Sequence, residues 1–274
     1  MKLIRKHSHG EVTGFELGYS PMGKPFMTAR FYLVDGVMID TGIPHLRREV
    51  ISLIRAFPPR KVLLTHHHED HSGNCAAIKK ALGVEIFGHP LAIRKMTGPL
   101  SILPYQHLVW GQAESANLLP LPDVIETHRF RFTPIHTPGH SKDHVAYLEK
   151  NEGWLFSGDL YLGDRIKIFR QDENIHDEIN SIGTILTHDF DVLFCGHNPR
   201  YEKGKEALRA KLDFLEAIVE KATSLKAEGM PVPRIISAMQ TSSDRFIRYF
   251  TMGNVSYGHM IRSALVDRPT PKKE

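Results

Sequence analysis

The chain has 274 residues, of which 41% are hydrophobic and 24% are charged, with a formal net charge of +4 and two cysteines. This composition can bury a large core in one sizeable domain, with or without an appendage, and it holds no apolar run long enough to span a membrane. Because residues 1–7 lack the apolar segment of a signal peptide, we expect a cytoplasmic protein in which Cys75 and Cys195 are buried free thiols rather than a disulfide.

The chain begins with signals for a glycine-rich loop, a hairpin and a helix. Residues 19–27 are rich in Gly and Pro and form a candidate substrate-facing loop. Residues 31–39 predict a β-hairpin, because two β-rich runs flank Asp35 and Gly36. Residues 45–57 predict a helix that ends at two consecutive prolines.

A βαβ-like unit follows the first helix. Residues 61–64 form a short apolar run that predicts a buried strand. Ser72 is placed to cap a helix that runs to about Ala81, with Gly83 as its stop. Residues 84–87 predict another buried strand, and strands mixed with helices favour a layered fold over an all-β sandwich.

The stretch from residue 89 to 122 is rich in proline and lacks clean periodicity, which predicts a long surface connection. It is either a lid or a structural excursion that packs Trp110 against outer helices. Beyond it, the chain predicts strands at 129–135, 145–149, 154–157 and 192–195, with a helix near 174–187.

Residues 201–274 predict a basic helical appendage to a catalytic domain of residues 1–200. Apolar residues recur at helical spacing through 202–228, and Gly229 ends that pattern. Three further helices are predicted. One starts at Pro231 to Pro233, a second is capped by Ser243–Asp244 and ends at Gly253, and the last is capped by Ser256 and ends at Leu265. Residues 200–274 hold 14 Lys and Arg against 9 Asp and Glu, whereas the preceding 199 residues hold 21 against 22.

Residues 65–71 are the most informative segment, because His66, His68, Asp70 and His71 form the pattern H-x-H-x-D-H. A folded protein gains little by crowding imidazoles beside carboxylates unless a divalent ion binds them, and both groups are preferred ligands of Zn, Mn and Fe. The pattern lies between a predicted strand and a predicted helix. It therefore predicts a metal-binding turn rather than a histidine-rich solvated loop.

Three later residues complete the set of candidate ligands. They are His140 after Thr-Pro-Gly, Asp159 after Phe-Ser-Gly, and His197 after Phe-Cys-Gly. Asp159 and His197 each follow a short apolar run and a glycine, which lets the chain turn sharply just past a strand end. Each motif alone is weak, and together in this order they are strong.

These residues resemble the ordered motifs of the metallo-β-lactamase superfamily, whose first motif is present as Asp-Thr-Gly at 40–42. The resemblance covers about residues 10–200. It implies an α+β fold, a four-layer αβ/βα sandwich, here followed by the C-terminal helical appendage. The pattern is closest to the glyoxalase II-like branch, through Thr-Pro-Gly-His followed by His144, and through Cys-Gly-His at 195–197.

The resemblance implies a hydrolase with two divalent metal ions, for which we expect Zn²⁺, with Fe and Mn as alternatives. The implied ligands form two sets with Asp159 as the bridge: His66, His68 and His140 for one ion, and Asp70, His71 and His197 for the other. Two ions a few Å apart would share a water, lower its pKa from about 15.7 towards about 7, and polarise the substrate oxygen. No protein nucleophile is then needed.

We assign catalytic roles to Asp70 and Asp40. Asp70 would act at the metal site itself, and Asp40 would orient a ligand histidine through its free ring N–H. The alternative for Asp40 is an ordinary carboxylate that caps a turn.

The leading interpretation is a hydrolase of an acyl-type bond, a thioester, ester or lactone, in a small-molecule substrate. A small endoribonuclease or phosphodiesterase acting on RNA, and a mono-iron persulfide dioxygenase, remain open alternatives. A β-lactamase is less favoured, because such enzymes are usually exported and mostly lack the bridging carboxylate. A non-catalytic binding protein would be expected to have lost ligands, and none is missing.

The basic appendage has two interpretations. It attracts an anionic substrate such as RNA or a charged thiol conjugate, or it is simply the solvated face of amphipathic helices. Arg245, Arg248 and Arg262 lie near the few aromatic residues of the appendage. Their joint substitution separates the two interpretations.

Overall fold

The computed structural model describes residues 1–240 and 242–266. The end of the predicted basic appendage, residues 267–274, lies outside the described residues, as does Thr241. Within the described ranges, every helix is too short or too polar to cross a lipid bilayer.

The part of the chain up to residue 120 forms a seven-stranded sheet. Its strands are β1 (Lys2–His9), β2 (Val12–Tyr19), β3 (Thr28–Val34), β4 (Val37–Ile39), β5 (Lys61–Leu63), β6 (Glu85–Gly88) and β7 (Leu119–Pro120), paired in chain order. The pairs from β1 to β4 are antiparallel and those from β4 to β7 are parallel. The predicted hairpin is confirmed: Asp35 has φ 43° and Gly36 has φ 77°, as a two-residue hairpin turn requires.

Most helices of this part pack against one face of the sheet. They are a 3₁₀ turn (Pro44–Leu46), α1 (Arg47–Ala56), α2 (Glu69–Ser72), α3 (Cys75–Leu82), α4 (Pro90–Met96) and α5 (Pro104–Val109). The 89–122 stretch, expected as a surface connection, holds α4, α5 and β7, and Trp110 is buried in the core beneath it. Gly83 ends α3 in the left-handed conformation, as predicted.

The predicted cap at Ser72 is wrong. Helix α3 begins at Cys75 after Asn74, whereas Ser72 ends α2 and donates its hydroxyl to the His67 carbonyl at 2.7 Å. Where the helix is interrupted, the Asn74 side-chain Nδ2 donates to the Thr41 carbonyl at 2.8 Å, and the Asn74 backbone amide donates to Thr41 Oγ1 at 3.0 Å. A bond to a distant segment therefore sets this helix boundary.

The second sheet follows residue 120. The strands of this part are β8 (Ile125–Glu126), β9 (Arg131–His136), β10 (Val145–Glu149), β11 (Trp154–Gly158), β12 (Phe169–Arg170), β13 (Val192–Cys195) and β14 (Val255–Ser256). Five of them pair in the order β13-β11-β10-β9-β8, and β12 pairs with β14 separately. The strands predicted at 129–135, 145–149, 154–157 and 192–195 are confirmed as β9, β10, β11 and β13. The helix predicted near 174–187 is α6 (Ile175–Leu186).

Four helices form most of the C-terminal part: α7 (Gly204–Ala227), α8 (Val232–Met239), α9 (Arg245–Phe250) and α10 (Tyr257–Ala264). The predicted cap at Ser256 is confirmed, because its hydroxyl accepts a hydrogen bond from the His259 amide at 3.1 Å. Gly229 and Gly253 adopt positive φ where helices were predicted to end.

Three buried clusters define four layers. One cluster lies between the first sheet and its helices, and an aromatic cluster that includes Tyr32, Phe132 and Phe194 lies between the two sheets. The third joins the second sheet to α6, α7, α8 and α10 and includes Leu193 and Leu212. The predicted αβ/βα sandwich is confirmed, and its C-terminal helices share a core with the sheet they cover.

Candidate metal centre

The turn after β5 brings the first predicted set of ligands together. His66, His68 and His140 are buried, and one potential ligand atom of each lies within 4.8 Å of the others. His68 Nδ1 is 2.9 Å from His66 Nε2 and 3.0 Å from His140 Nε2. Because His140 follows β9, the turns of both sheets meet at this point.

The second set lies beside the first. Potential ligand atoms of Asp70, His71, Asp159 and His197 lie within 4.8 Å of one another. Asp70 Oδ2 is 3.3 Å from His197 Nε2, and Asp159 Oδ1 is 3.2 Å from His71 Nε2. His197 follows β13, and the adjacent Gly196 is required, because a Cβ there would come within 2.5 Å of the His71 ring.

Asp159 lies between the two sets. Its Oδ2 is 3.3 Å from His140 Nε2 of the first set and 3.4 Å from His197 Nε2 of the second. All seven sequence-predicted ligands therefore surround one small volume, with this carboxylate in contact with members of both sets.

Buried polar atoms in this volume lack hydrogen-bond partners. Among the described residues, His68 Nε2 makes no hydrogen bond, and His71 Nε2 and Asp159 Oδ1 face each other at 3.2 Å without forming one. Burying such atoms without partners costs free energy, which bound cations would recover. With imidazole and carboxylate donors only, the set fits divalent ions of the Zn, Fe and Mn type.

Asp40 lies behind the second set. Its Oδ2 is 2.7 Å from His71 Nδ1, and its Oδ1 accepts a hydrogen bond from the Thr65 amide at 2.8 Å. The His71 ring thus has Nδ1 engaged by a carboxylate and Nε2 directed into the site, the arrangement expected of a ligand histidine.

Two residues contact other ligands: Glu173, which the sequence analysis did not name, and His144, to which it assigned no role. Glu173 Oε1 is 2.9 Å from His140 Nδ1. His144 Nε2 accepts a hydrogen bond from the Asp159 amide at 3.0 Å, while its Nδ1 lies 2.8 Å from Thr137 Oγ1. Burial lowers the pKa of His144 to about 3, so its ring is neutral and can accept that bond. The Thr-Pro-Gly-His motif followed by His144 was the one available sequence signal.

The two sets differ in electrostatics. Burial lowers the pKa of His66 and His68 well below the ordinary histidine value, so both are neutral. Burial acts the same way on His71 and His197, but nearby carboxylates, Asp159 first among them, outweigh it and raise both pKa values well above the ordinary one. A cation at the second set must displace those protons.

An apolar cleft of about 830 Å³, including its open mouth, lies over the centre. Five predicted ligands form its floor. Both predicted substrate-facing segments reach it, because Phe26 comes from the 19–27 loop and Tyr105 and Trp110 come from the 89–122 stretch. Helix α9 adds Ile247 and Phe250.

The appendage arginines do not line this cleft. Arg248 and Arg262 line a neighbouring cavity, and Arg245 is exposed on α9. Among the residues that the structure describes, Arg170 of β12 is the arginine that lines the metal cleft, and the sequence analysis did not single it out.

Comparisons with known proteins identify the family of this chain. A family model described as the metallo-beta-lactamase superfamily matches residues 31–219. The chain is 28% identical over 202 residues to the Beta-lactamase-like protein 2 homolog of Drosophila melanogaster, a match that covers 66% of this chain and only 62% of that relative. It is 24% identical over 226 residues to the hydroxyacylglutathione hydrolase of Methylobacillus flagellatus, covering 80% of this chain and 81% of that one.

Solved structures share the fold. A metallo-beta-lactamase family protein from Thermus thermophilus superposes with a TM-score of 0.67 at 20% identity, over 93% of each chain. TTHA1623, crystallised in a di-iron-bound form, has a TM-score of 0.55 at 26% identity, over 69% of this chain and 96% of its own. The first of these matches therefore covers a larger share of the chain than residues 31–219 of the family model.

Proposed function

The chain belongs to the metallo-beta-lactamase superfamily and is a metallo-hydrolase of that family, and from this premise we propose that it hydrolyses an acyl-type bond, a thioester, ester or lactone, at a two-metal centre. His66, His68 and His140 would hold the first metal, and Asp70, His71 and His197 would hold the second. Asp159 would serve both. The observation that carries this assignment is the position of Asp159, whose carboxylate contacts histidines of both sets at 3.2–3.4 Å.

Bound divalent ions would supply an activated water near neutral pH and polarise the substrate carbonyl. The chain contributes the orientation of its ligands. Asp40 contacts Nδ1 of His71, and Glu173 contacts Nδ1 of His140. His144 accepts a hydrogen bond from the backbone amide of Asp159. Asp70 contacts His197 of the second set, and it lines the cleft where the scissile bond would lie.

The cleft favours an acyl substrate over a polynucleotide. Its walls above the ligands are mainly apolar, and a phosphodiester backbone needs several cationic partners. Among the described lining residues Arg170 alone carries a fixed positive charge. Relatives named hydroxyacylglutathione hydrolase support the same class of bond.

Metal analysis of the purified protein, joined to a substrate panel, tests the proposal. We expect close to two metals per chain, and hydrolysis of an acyl-glutathione, a simple ester or a lactone ahead of bis-p-nitrophenyl phosphate and RNA. Asp159→Ala should lower both metal content and turnover sharply, whereas Asp189→Ala, at a carboxylate with 96% side-chain exposure, should change neither. An Asp159→Ala protein with two metals and full turnover would sink the two-metal centre.

A phosphodiesterase acting on RNA is the second candidate, and the exposed surface of α9 favours it. Arg245 and Arg248 alternate there with the exposed rings of Phe246 and Tyr249, a pattern that suits stacked bases. Cleavage of RNA faster than of any ester in the panel would establish this candidate. One iron per chain together with oxygen consumption would instead indicate a persulfide dioxygenase.

A further inference from the structure

The walls of the metal cleft are built from at least four separate segments that all contribute apolar side chains. Phe26 comes from the 19–27 loop, Tyr105 and Trp110 from the 89–122 stretch, Phe169 from β12, and Phe250 from α9. The hydroxyl of Tyr105 is engaged by Asn254 Oδ1 at 2.7 Å. Polar groups of a substrate placed against these walls would lose water without gaining partners, which is costly. The cleft therefore selects against substrates with several polar groups.

Arg170 interrupts this apolar lining. It lies on β12, whose pairing with β14 sets Arg170 opposite Val255, so its backbone is held by a strand rather than a loop. Its side chain is only 22% exposed. Nε donates to Asp172 Oδ1 at 3.3 Å, and no described residue accepts a hydrogen bond from the two terminal nitrogens.

The other carboxylates near Arg170 have different partners. Glu173 is engaged by His140 at 2.9 Å, and Glu69 Oε1 accepts from Gln106 Nε2 at 2.7 Å. Asp172 offsets part of the positive charge of Arg170, but it contacts only the Nε atom of the guanidinium. A guanidinium presents a planar pair of N–H groups that matches the two oxygens of a carboxylate or phosphate. Its terminal nitrogens are therefore available to a ligand anion within the cleft.

We infer that Arg170 is the specificity-determining residue for an acyl substrate that combines an apolar acyl group with one anionic group, a carboxylate or a phosphate. This inference rests on the proposed acyl hydrolysis and narrows it. A glutathione thioester carries two carboxylates, an ammonium and two peptide bonds, and the described residues of the cleft offer them one guanidinium, that of Arg170. The chain therefore differs in substrate from the relatives named hydroxyacylglutathione hydrolase.

Paired esters with the same scissile bond test the inference. The set is p-nitrophenyl hexanoate, the mono-p-nitrophenyl ester of adipic acid, and p-nitrophenyl 6-phosphooxyhexanoate, which separates the two anions. The wild-type metal-loaded enzyme should prefer at least one anionic ester over the neutral one by about 10- to 100-fold in kcat/KM. Arg170→Gln should abolish that preference, and Arg170→Lys should keep part of it. S-lactoylglutathione should be a poorer substrate than the preferred ester.

The preference is a ratio, so lost metal or reduced folding in a variant affects both esters and cancels. Arg209→Gln, which removes an exposed arginine of α7 outside the cleft, is the matched control and should leave the ratio unchanged. An equal rate for neutral and anionic esters in the wild type, or an unchanged ratio in Arg170→Gln, overturns the inference.

A binding measurement separates this inference from the proposed function. If no ester is hydrolysed, the acyl-hydrolase proposal fails, and calorimetry with non-hydrolysable anilides of hexanoic acid and of adipic acid decides the anion site. Tighter binding of the anionic anilide, lost in Arg170→Gln, supports the site independently of turnover. Equal binding of the two anilides overturns it.

Discussion

Lys211 of α7 and Glu178 of α6 form an ion pair inside the core, and its removal should be among the most destabilising single changes in the chain. The Lys211 side chain has 0% exposure and that of Glu178 has 3%, with Nζ 2.5 Å from Oε1. Nζ also donates to the Leu160 carbonyl at 2.8 Å. The pair thus joins two helices to the residue that follows Asp159.

Lys211→Met keeps most of the side-chain volume but removes the cation. It leaves the carboxylate of Glu178 buried, with Oε2 already lacking a partner among the described residues. Breaking such a pair on one side costs about 3–5 kcal/mol of unfolding free energy. For a chain of this size that corresponds to a melting temperature lower by about 6–20 °C.

Replacing both partners should recover most of the loss. In Lys211→Met with Glu178→Met no charge is buried, so only the unpaired Leu160 carbonyl remains, at a cost of about 1–3 kcal/mol. Urea denaturation of the metal-loaded wild type, both single variants and the double variant measures the coupling between the two sites. A single variant within about 1 kcal/mol of wild type, or a double variant no more stable than Lys211→Met, would refute this reasoning.

Three other predictions concern pH and charge. Burial opposes the charge of Asp143, but hydrogen bonds from His67 outweigh burial and hold the pKa of Asp143 below its usual value. The ionised carboxylate therefore stabilises the folded state above about pH 4, and this stabilisation is lost on further acidification. Asp143→Asn should therefore be less stable than wild type near about pH 6 and closer to it near about pH 3 in urea titrations, and an equal gap at both would contradict this. If a metal-activated water is the nucleophile, hydrolysis should slow from about pH 8 to about pH 5, because that water becomes protonated and protons compete with the metal for the ligand histidines. A flat profile, measured with metal saturation confirmed, would argue for another nucleophile or a different rate-limiting step. Joint substitution of Arg245, Arg248 and Arg262 by Ala should leave acyl turnover and its weak salt dependence unchanged, whereas loss of RNA cleavage and of a steep salt slope would favour the nuclease.

The sequence predicted those elements whose signal is local. The strands β10 and β13 match the predicted ranges because each is a continuous run of buried residues, and the β3–β4 hairpin has a local turn signal. The strands β1 and β2 were not predicted. In β1 every residue is exposed or half-buried, as befits an edge strand, so its hydrophobic pattern is weak. The end of α2 depends on Asn74 and a segment 33 residues away, which no local pattern contains.

In the candidate centre, too, local patterns could be predicted from the sequence and contacts between distant segments could not. Its histidine and aspartate ligands stand at recognisable spacings at strand ends, so the motifs could be read directly. Glu173 and Arg170 act through contacts that exist only once β12 is placed beside the ligands, and neither belongs to a spacing pattern. The same holds for the cleft walls. Side chains from residues 26, 105 and 250 meet there, and sequence order gives no indication that they do.

Helix α9 lines the metal cleft but contributes no fully buried residue to the core. It supplies Ile247 and Phe250 to the cleft, yet none of its six residues is fully buried. Substitutions at such positions usually change the unfolding free energy by only about 0.5 kcal/mol. Substitutions in this short helix can therefore change the lining of the cleft while the ligand-bearing turns and the core stay intact. A library of variants confined to residues 245–250 is therefore the smallest set with which to change the substrate preference of this enzyme.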